Sequence, residues 1–342
     1  MKAVVFHEQG GREKLRFEER PQPQITETEV LVKVKACALN HLDIWARQGI
    51  PNVKIPLPHI SGCDIAGEVA ELGRLVKGVE VGAKVIVAPG ISCGHCHECV
   101  SGRDNYCREY QVIGYNTDGG YAEYVKVLGS NLLPIPDALS FEEAASVPLV
   151  FMTAWHMLVG RAHIRIGEDV LVLAAGSGVG IAALQVAKLF NARVIATASS
   201  DEKLKQAEKL GADSLINHRT QDIVDEVKKI TGKRGVDIVV EHVGEATWDK
   251  SVRALTQGGR MVTCGATTGR EGRTDIRYVF SKQLSILGSY MGSRSELQEV
   301  LRFFEGGRLK PVVYRTLPLK EAAEAQRIME ESEHFGKIVL TV

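Results

Sequence analysis

The segment 169–189 limits what this chain can fold into more than any other. Asp169–Ala174 is an apolar run of strand length without polar alternation, the pattern of a strand covered on both faces. The elbow Ala174, Ala175, Gly176, Ser177, Gly178, Val179, Gly180 follows at once, and Gly180–Leu189 then places apolar residues at three- and four-residue spacing. A glycine pattern alone is weak evidence. Between a buried strand and an amphipathic helix it marks a turn where backbone passes close to a pyrophosphate. Glycines supply positive φ and room, and the helix start offers unpaired N–H groups and partial positive charge to phosphates. A plain βα turn needs fewer glycines than the three that alternate here. Gly176, Ser177, Gly178, Val179 and Gly180 are therefore expected to hold a dinucleotide.

The texture around the elbow agrees. From about residue 151, candidate strands Arg193–Ala198, Ser214–Asn217, Val236–Glu241, Gly259–Cys264 and Leu284–Gly288 alternate with helical patterns at Asp201–Leu210, Ile223–Thr231 and Trp248–Leu255. Six strands with helical crossovers predict a doubly wound parallel sheet. The first 150 residues read as mostly β, with runs at Lys2–Phe6, Val30–Ala36, Lys84–Ala88 and Tyr121–Val127 between Gly and Pro punctuation and no long amphipathic helix. After the sheet come helical patterns at Ser295–Glu305 and Lys320–Glu331 and a last strand, Lys337–Val342. Periodicity leaves open which half this tail joins. At 342 residues the length also suggests two domains.

The tip of the second strand of the sheet bears on the choice of dinucleotide. An acid there would bind the ribose 2′-OH of NAD and repel a 2′-phosphate. This strand ends Ala198-Ser199-Ser200, and Ser199, Ser200 and Lys203 can supply hydroxyls and a positive charge instead. Ser199 with Glu202 also reads as a capping box, and Asp201 can still serve a 2′-OH. NADP(H) is the preferred cofactor on this reading and NAD(H) the other option. Val243 and Gly265, after the later strands, complete the expected cofactor contacts.

A second motif sits in the first half. Cys93, Cys96, Cys99 and Cys107 have the spacing C-x2-C-x2-C-x7-C. Four thiolates on short spacers suit a closed tetrahedral zinc site with no position left for chemistry. A ferredoxin-type cluster run places its last Cys after three residues and before Pro, whereas seven residues intervene here and Arg108 follows. One structural Zn²⁺ per chain is expected, with His95 and His97 outside the shell.

Composition excludes several classes. The 42 acidic and 42 basic residues cancel, so no nucleic-acid or anionic-membrane partner is indicated. Hydrophobic residues at 44% and charged ones at 25% exclude a disordered chain. No apolar run reaches the ~18–20 residues of a membrane span. Met1–His7 turns polar and Gly-rich at once, unlike a signal peptide. Cysteines clustered as metal ligands fit a reducing compartment, so a cytoplasmic protein is expected.

A tetra-cysteine loop near residue 100 followed by a glycine-elbow nucleotide fold after residue 150 resembles the medium-chain dehydrogenase/reductase superfamily across essentially the whole chain. The resemblance implies an α/β protein: a GroES-like β-rich catalytic domain (1–150 and 291–342, with the zinc loop at 93–107) plus a Rossmann doubly wound parallel six-stranded sheet (151–290). It also implies an active site in the cleft between the domains, a small-molecule substrate and a homodimer or homotetramer. Zinc alcohol dehydrogenases of the superfamily bind a second, catalytic zinc through Cys, His and Cys. Here Asn40, Cys63 and Leu149 stand at those positions. Leu binds no metal and Asn replaces a thiolate poorly, so the catalytic metal is not expected.

The stretch Asn40, His41, Asp43, Trp45, Arg47, Gly49 instead resembles the Asn-x-x-Asp motif of the metal-free quinone oxidoreductase branch. Ala198 and the ending 336–342 point the same way, while the tetra-cysteine loop departs from many quinone reductases. Hydride transfer creates negative charge on the acceptor, and an enolate spreads that charge more than an alkoxide does. Without zinc, Asn40 and His41 are the expected stabilising groups, with Asp43 and Cys63 the other candidate catalytic residues. The expected function is an NAD(P)(H)-dependent oxidoreductase acting on a carbonyl or alcohol, an enone or a quinone. Two alternatives stay open: a zinc alcohol dehydrogenase with a metal site rebuilt from three of Cys63, Asp64, His41 and His59, and an NADPH-binding protein without turnover. Asp43 also has a structural reading, as a partner of Arg47.

Overall fold

Alternation of apolar and polar residues builds the first sheet. In the strand Glu29–Ala38 (β1), Val30, Val32 and Val34 are buried while Lys33 faces out. The helix His41–Gln48 (α1) follows, and the strand Asp64–Leu72 (β2) returns antiparallel to β1. The sheet runs Val313–Pro318, Lys337–Thr341, β1, β2, Lys84–Val87, Leu132–Pro134, with Tyr124–Leu128 also paired to β1. The closing strand Lys337–Thr341 lies antiparallel to the end of β1, aligning Val339 with Ala38. This brings the closing strand's first residue, Lys337, beside the β1–α1 junction.

The computed structural model describes residues 1–51 and 53–342, which divide into two units: Met1–Leu149 with Ser293–Val342, and Val150–Gly292. The tail thus belongs to the first unit. Neither β2 nor α1 is among the elements expected from periodicity. In α1 the buried residues are Asp43, Ile44, Ala46 and Arg47, so half of its inward face is charged and leaves no apolar stripe. In β2 a glycine interrupts the run at Gly67, where an added Cβ would stand 2.3 Å from the Lys33 carbonyl oxygen.

The second unit carries six parallel strands: Asp169–Val172 (β3), Arg193–Ala198 (β4), Ser214–Asn217 (β5), Val236–Glu241 (β6), Leu255–Thr263 (β7) and Ser285–Gly288 (β8). Their order is β5-β4-β3-β6-β7-β8. The connecting helices are Gly178–Leu189 (α2), Asp201–Lys209 (α3), Ile223–Ile230 (α4) and Trp248–Ala254 (α5). All of β3 is buried, as its unbroken apolar run requires. The β7 strand begins four residues earlier than its pattern suggests, directly where α5 ends. The strand order reverses between β3 and β6, and in such sheets ligands sit outside the carboxyl ends of the strands at that switch point. No helix among the described residues is long and apolar enough to cross a membrane.

Candidate functional site

The four cysteines converge. All four Sγ atoms lie within 4.8 Å of one another, with Cys93–Cys99 at 3.8 Å and Cys96–Cys99 at 3.5 Å. A tetrahedron with Zn–S bonds of ~2.3 Å has S···S edges of ~3.8 Å, so the donor set fits a structural zinc ion. Backbone N–H groups of Cys96 and Glu109 donate to Cys93 Sγ and Cys107 Sγ, each at 3.4 Å. Backbone N–H groups of His95 and Cys96 push the Cys93 thiol down to about 6, while sharing hydrogen bonds with the neighbouring thiols pushes Cys96 up to about 11. His95 bonds the Cys93 carbonyl and His97 lies against Glu98, so neither belongs to the thiol group.

The second polar centre of this unit forms where β1, α1, β2 and the closing strand meet. Asn40 caps α1, and the carboxylate of Asp43 three residues on accepts its N–H at 2.8 Å. Asp43 is fully buried and also accepts from Gly62 N–H at 3.1 Å and Tyr121 O–H at 3.1 Å. Burial raises its pKa to about 6, against the pull of those donors. Arg47 is not its partner: the guanidinium runs to Gln326 Oε1, the Gly10 carbonyl and Glu330. Gly62 has φ 101°, and a Cβ there would meet the Tyr121 ring at 2.5 Å, so only glycine brings its N–H to Asp43.

Asn40 is held from three sides. Its Nδ2 donates to Asp64 Oδ2 at 2.8 Å and to Cys63 Sγ at 3.4 Å, and its Oδ1 accepts from Lys337 Nζ at 2.7 Å. Asp64 Oδ2 also meets Lys337 Nζ at 2.9 Å, and Asp64 Oδ1 accepts from Leu149 N–H at 2.7 Å. Burial, then Asp64 and Asp43, raise the Cys63 pKa well above the usual thiol range, so it is a neutral thiol and no nucleophile at pH 7. His41 is half-buried with its ring 6.3 Å from that of Trp45.

These residues do not fit a second metal ion. Asn40 has its oxygen on an ammonium, Leu149 offers a main-chain N–H, and Cys63 Sγ accepts from the Asn40 amide. Among the described residues the four cysteines are the one group of three or more metal-ligating side chains that comes together. No three of Cys63, Asp64, His41 and His59 come together among the described residues. His59 is buried with Nε2 on the Gly114 carbonyl at 3.0 Å.

In the second unit, the residues assigned to the cofactor all stand at carboxyl ends of parallel strands. Gly176 and Ser177 lead from β3 into α2, whose first turn holds Gly178, Val179 and Gly180; Ser199 and Ser200 follow β4 with Lys203 in the first turn of α3, Val243 follows β6 and Gly265 follows β7. Ser177 caps α2, its Oγ accepting Gly180 N–H at 3.0 Å. The elbow's left-handed residue is Ala174, at φ 42°, rather than a glycine. Gly180 is required for space instead: a Cβ there would lie 2.4 Å from the Ala174 carbonyl oxygen.

The cap of α3 is Ser200, accepting from Lys203 N–H at 3.3 Å, and not Ser199. Asp201 is engaged by Asn217 Nδ2 at 2.7 Å. Burial and the charge of Arg219 hold the Lys203 pKa below its ordinary value. Burial, Arg219, Lys250 and Lys203 do the same for His218. At the switch point, His242 Nε2 bonds the Leu173 carbonyl at 3.0 Å, tying the ends of β3 and β6 together. Burial pushes this imidazole down, which favours the neutral form.

The sequence matches the alcohol dehydrogenase GroES-like domain over residues 26–137 and the zinc-binding dehydrogenase domain over residues 178–306. It is 35% identical to an alcohol dehydrogenase of Geobacillus stearothermophilus over the whole of both chains. The chain belongs to the medium-chain dehydrogenase/reductase superfamily. It is also 32% identical to an acryloyl-coenzyme A reductase of Metallosphaera sedula over the whole of both chains. A quinone oxidoreductase of Homo sapiens is 30% identical, over 99% of this chain and 97% of its own. A solved NAD-dependent alcohol dehydrogenase shares 50% identity and superposes with a TM-score of 0.97 over all of both chains. This dehydrogenase/reductase is therefore an NAD(P)-dependent oxidoreductase, the enzyme expected from the sequence, and the alternative of a binding protein without turnover falls away.

Sequence reasoning missed three residues of this oxidoreductase's polar centre. Asp64 entered only as a possible metal ligand beside Cys63. Lys337 entered only as part of a closing family signature, although a lone Lys opening an apolar strand is itself a signal. Tyr121 lay in a run read as a strand, and nothing in its neighbours marked it.

Proposed function

We propose that this oxidoreductase prefers NADP(H) and passes hydride to a conjugated carbonyl, an enone or quinone, without a catalytic metal ion. The observation that carries this reading is the polar centre at Asn40, where an amide bonded to an ammonium, a buried thiol bonded to that amide and a leucine stand at the positions that bind catalytic zinc in related alcohol dehydrogenases. Without a Lewis acid, a localised alkoxide has little to stabilise it, whereas an enolate or hydroquinone anion spreads its charge. The names of the acryloyl-coenzyme A reductase and quinone oxidoreductase relatives run in the same direction.

The nicotinamide supplies the hydride when bound. In this reading His41, the half-buried member of the centre, meets the acceptor oxygen and delivers a proton. Asn40, Asp43 and Cys63 position it by fixing the start of α1. The α2 N-terminus binds the pyrophosphate, and Lys203, His218, Arg219 and Lys250 receive a 2′-phosphate that relieves their mutual repulsion. This preference runs against the NAD in the name of the 50% identical neighbour and rests on this chain's own basic cluster.

We also infer a homo-oligomer. Among the described residues the edge strand β8 pairs with β7 alone, and Ile286 on it and Ile276 and Phe280 on the helix that precedes it are exposed. Light scattering on the purified chain tests that assembly.

The functional test is NAD(P)H oxidation against a panel of enones, quinones, aldehydes and ketones, with alcohol oxidation run in reverse. Turnover of enones or quinones with NADPH is expected. Rapid NAD-linked oxidation of short alcohols with inert enones would refute the proposal.

A further inference from the structure

Lys337 is only 4% exposed and its side chain spends all three ammonium protons on oxygens. Nζ lies 2.7 Å from the Leu39 carbonyl, 2.7 Å from Asn40 Oδ1 and 2.9 Å from Asp64 Oδ2. Those oxygens belong to the end of β1, the cap of α1 and the start of β2, while the lysine belongs to the last strand. Asp64 is fully buried, and among the described residues its carboxylate accepts from two other donors, Asn40 Nδ2 and Leu149 N–H.

We propose that the Lys337 ammonium is the resident cation of this centre, filling a three-oxygen cradle and keeping a second divalent ion out. The inference rests on the metal-free reading above and says what replaces the metal. Two consequences follow from the geometry. The Asn40 amide has one orientation, because its oxygen faces a pure donor and its nitrogen faces a carboxylate. The Asp64 charge is balanced inside the protein, so a divalent ion arriving at Cys63 and Asp64 would have to displace a bonded ammonium. Lys337 is thus a positioning residue for α1.

Three measurements test the assignment without relying on turnover. The purified chain, incubated with excess zinc and then dialysed, is expected to retain one ion per chain. Retention of two with Lys337 intact overturns the proposal. Lys337→Ala is expected to melt about 10 °C lower. Propylammonium, which reproduces the atoms from Cγ to Nζ, should then recover a third or more of that loss while tetramethylammonium at equal concentration does not. Equal effects of the two ions overturn it.

For the case in which Lys337→Ala does not fold, the pair Asp64→Asn and Lys337→Met supplies a double-mutant cycle. The double variant is expected within a few degrees of the parent and insensitive to propylammonium. A double variant at least as destabilised as the sum of its singles overturns the proposal. If these tests succeed and no enone or quinone turns over, the resident cation stands and the substrate reading fails. If they fail while enones are reduced, the reverse holds.

Discussion

Asp43 gives the sharpest pH-dependent test of the polar centre. Its carboxyl is fully buried, and burial raises its pKa from an ordinary 3.8 to about 6, even with three donors facing it. A buried acid with a raised pKa binds its proton more tightly in the folded state than in the unfolded one. Folding stability from this group is therefore full below about pH 4 and falls as pH rises through about 6. A shift of roughly two units at ~1.36 kcal/mol each makes the loss about 3 kcal/mol across that window. Asp43→Asn removes the titration and keeps the shape. Urea denaturation of the parent and of this variant, at half-unit steps from pH 4 to 7, isolates the effect as a difference of slopes. The parent should lose about 3 kcal/mol more than the variant, mostly below pH 6.5. Parallel pH profiles would show that Asp43 ionises in the fold as easily as in water, and the account of a costly buried carboxylate would fail.

Three further outcomes follow from the rest of the structure. Gly180→Ala drives a Cβ against the Ala174 carbonyl and should displace the start of α2, raising the Kd for NADPH about tenfold at a stability cost of about 2 kcal/mol. Fluorescence titration of both dinucleotides reads it. Arg219→Ala should cut the preference for NADPH over NADH about tenfold, the worth of one charged contact, and leave NADH affinity unchanged. Cys107→Ser should lower the zinc content from one per chain to near zero and expose the 93–107 loop to limited proteolysis, with dinucleotide affinity of the second unit unaffected.

The parts of the fold that were legible in the sequence are those driven by apolar burial. The strands of the second unit show as unbroken apolar runs, and the elbow residues fall between β3 and α2 because strand, turn and helix each carry their own signal. The cysteine spacing was legible for a similar reason, since a metal site imposes a local arithmetic on its ligands. The polar centre was only half legible. Asn40 and Asp43 form a local cap spaced three apart, but their outer partners Asp64, Tyr121 and Lys337 come from distant segments and meet only through sheet pairing. The purpose of the elbow glycines was also misjudged, because φ is negotiated by the whole turn and falls on Ala174, while Gly180 answers to a carbonyl across the turn.

The helix α1 shows what these buried charges do for the fold. At eight residues it is too short to be stable alone, and its inward face includes Asp43 and Arg47. Apolar burial is therefore not what defines its ends. At the start, Asn40 is fixed by Lys337 and Asp64. At the other end, Arg47 reaches Gln326 at 2.7 Å and Glu330, both on the helix Ala322–Glu330. Both anchors thus depend on the last twenty residues of the chain. A buried ion pair gains little over an apolar pair in stability, but it tolerates one arrangement only, because every misplacement leaves a charge unpaired. One ion pair from α1 itself, Arg47 with Glu330, and one against its cap, Lys337 with Asp64, give His41 a defined position that a leucine-packed helix would hold less strictly. The polar interior of the first unit is best understood as that trade: stability is given up so that α1 can hold a single pose, on which the proposed chemistry depends.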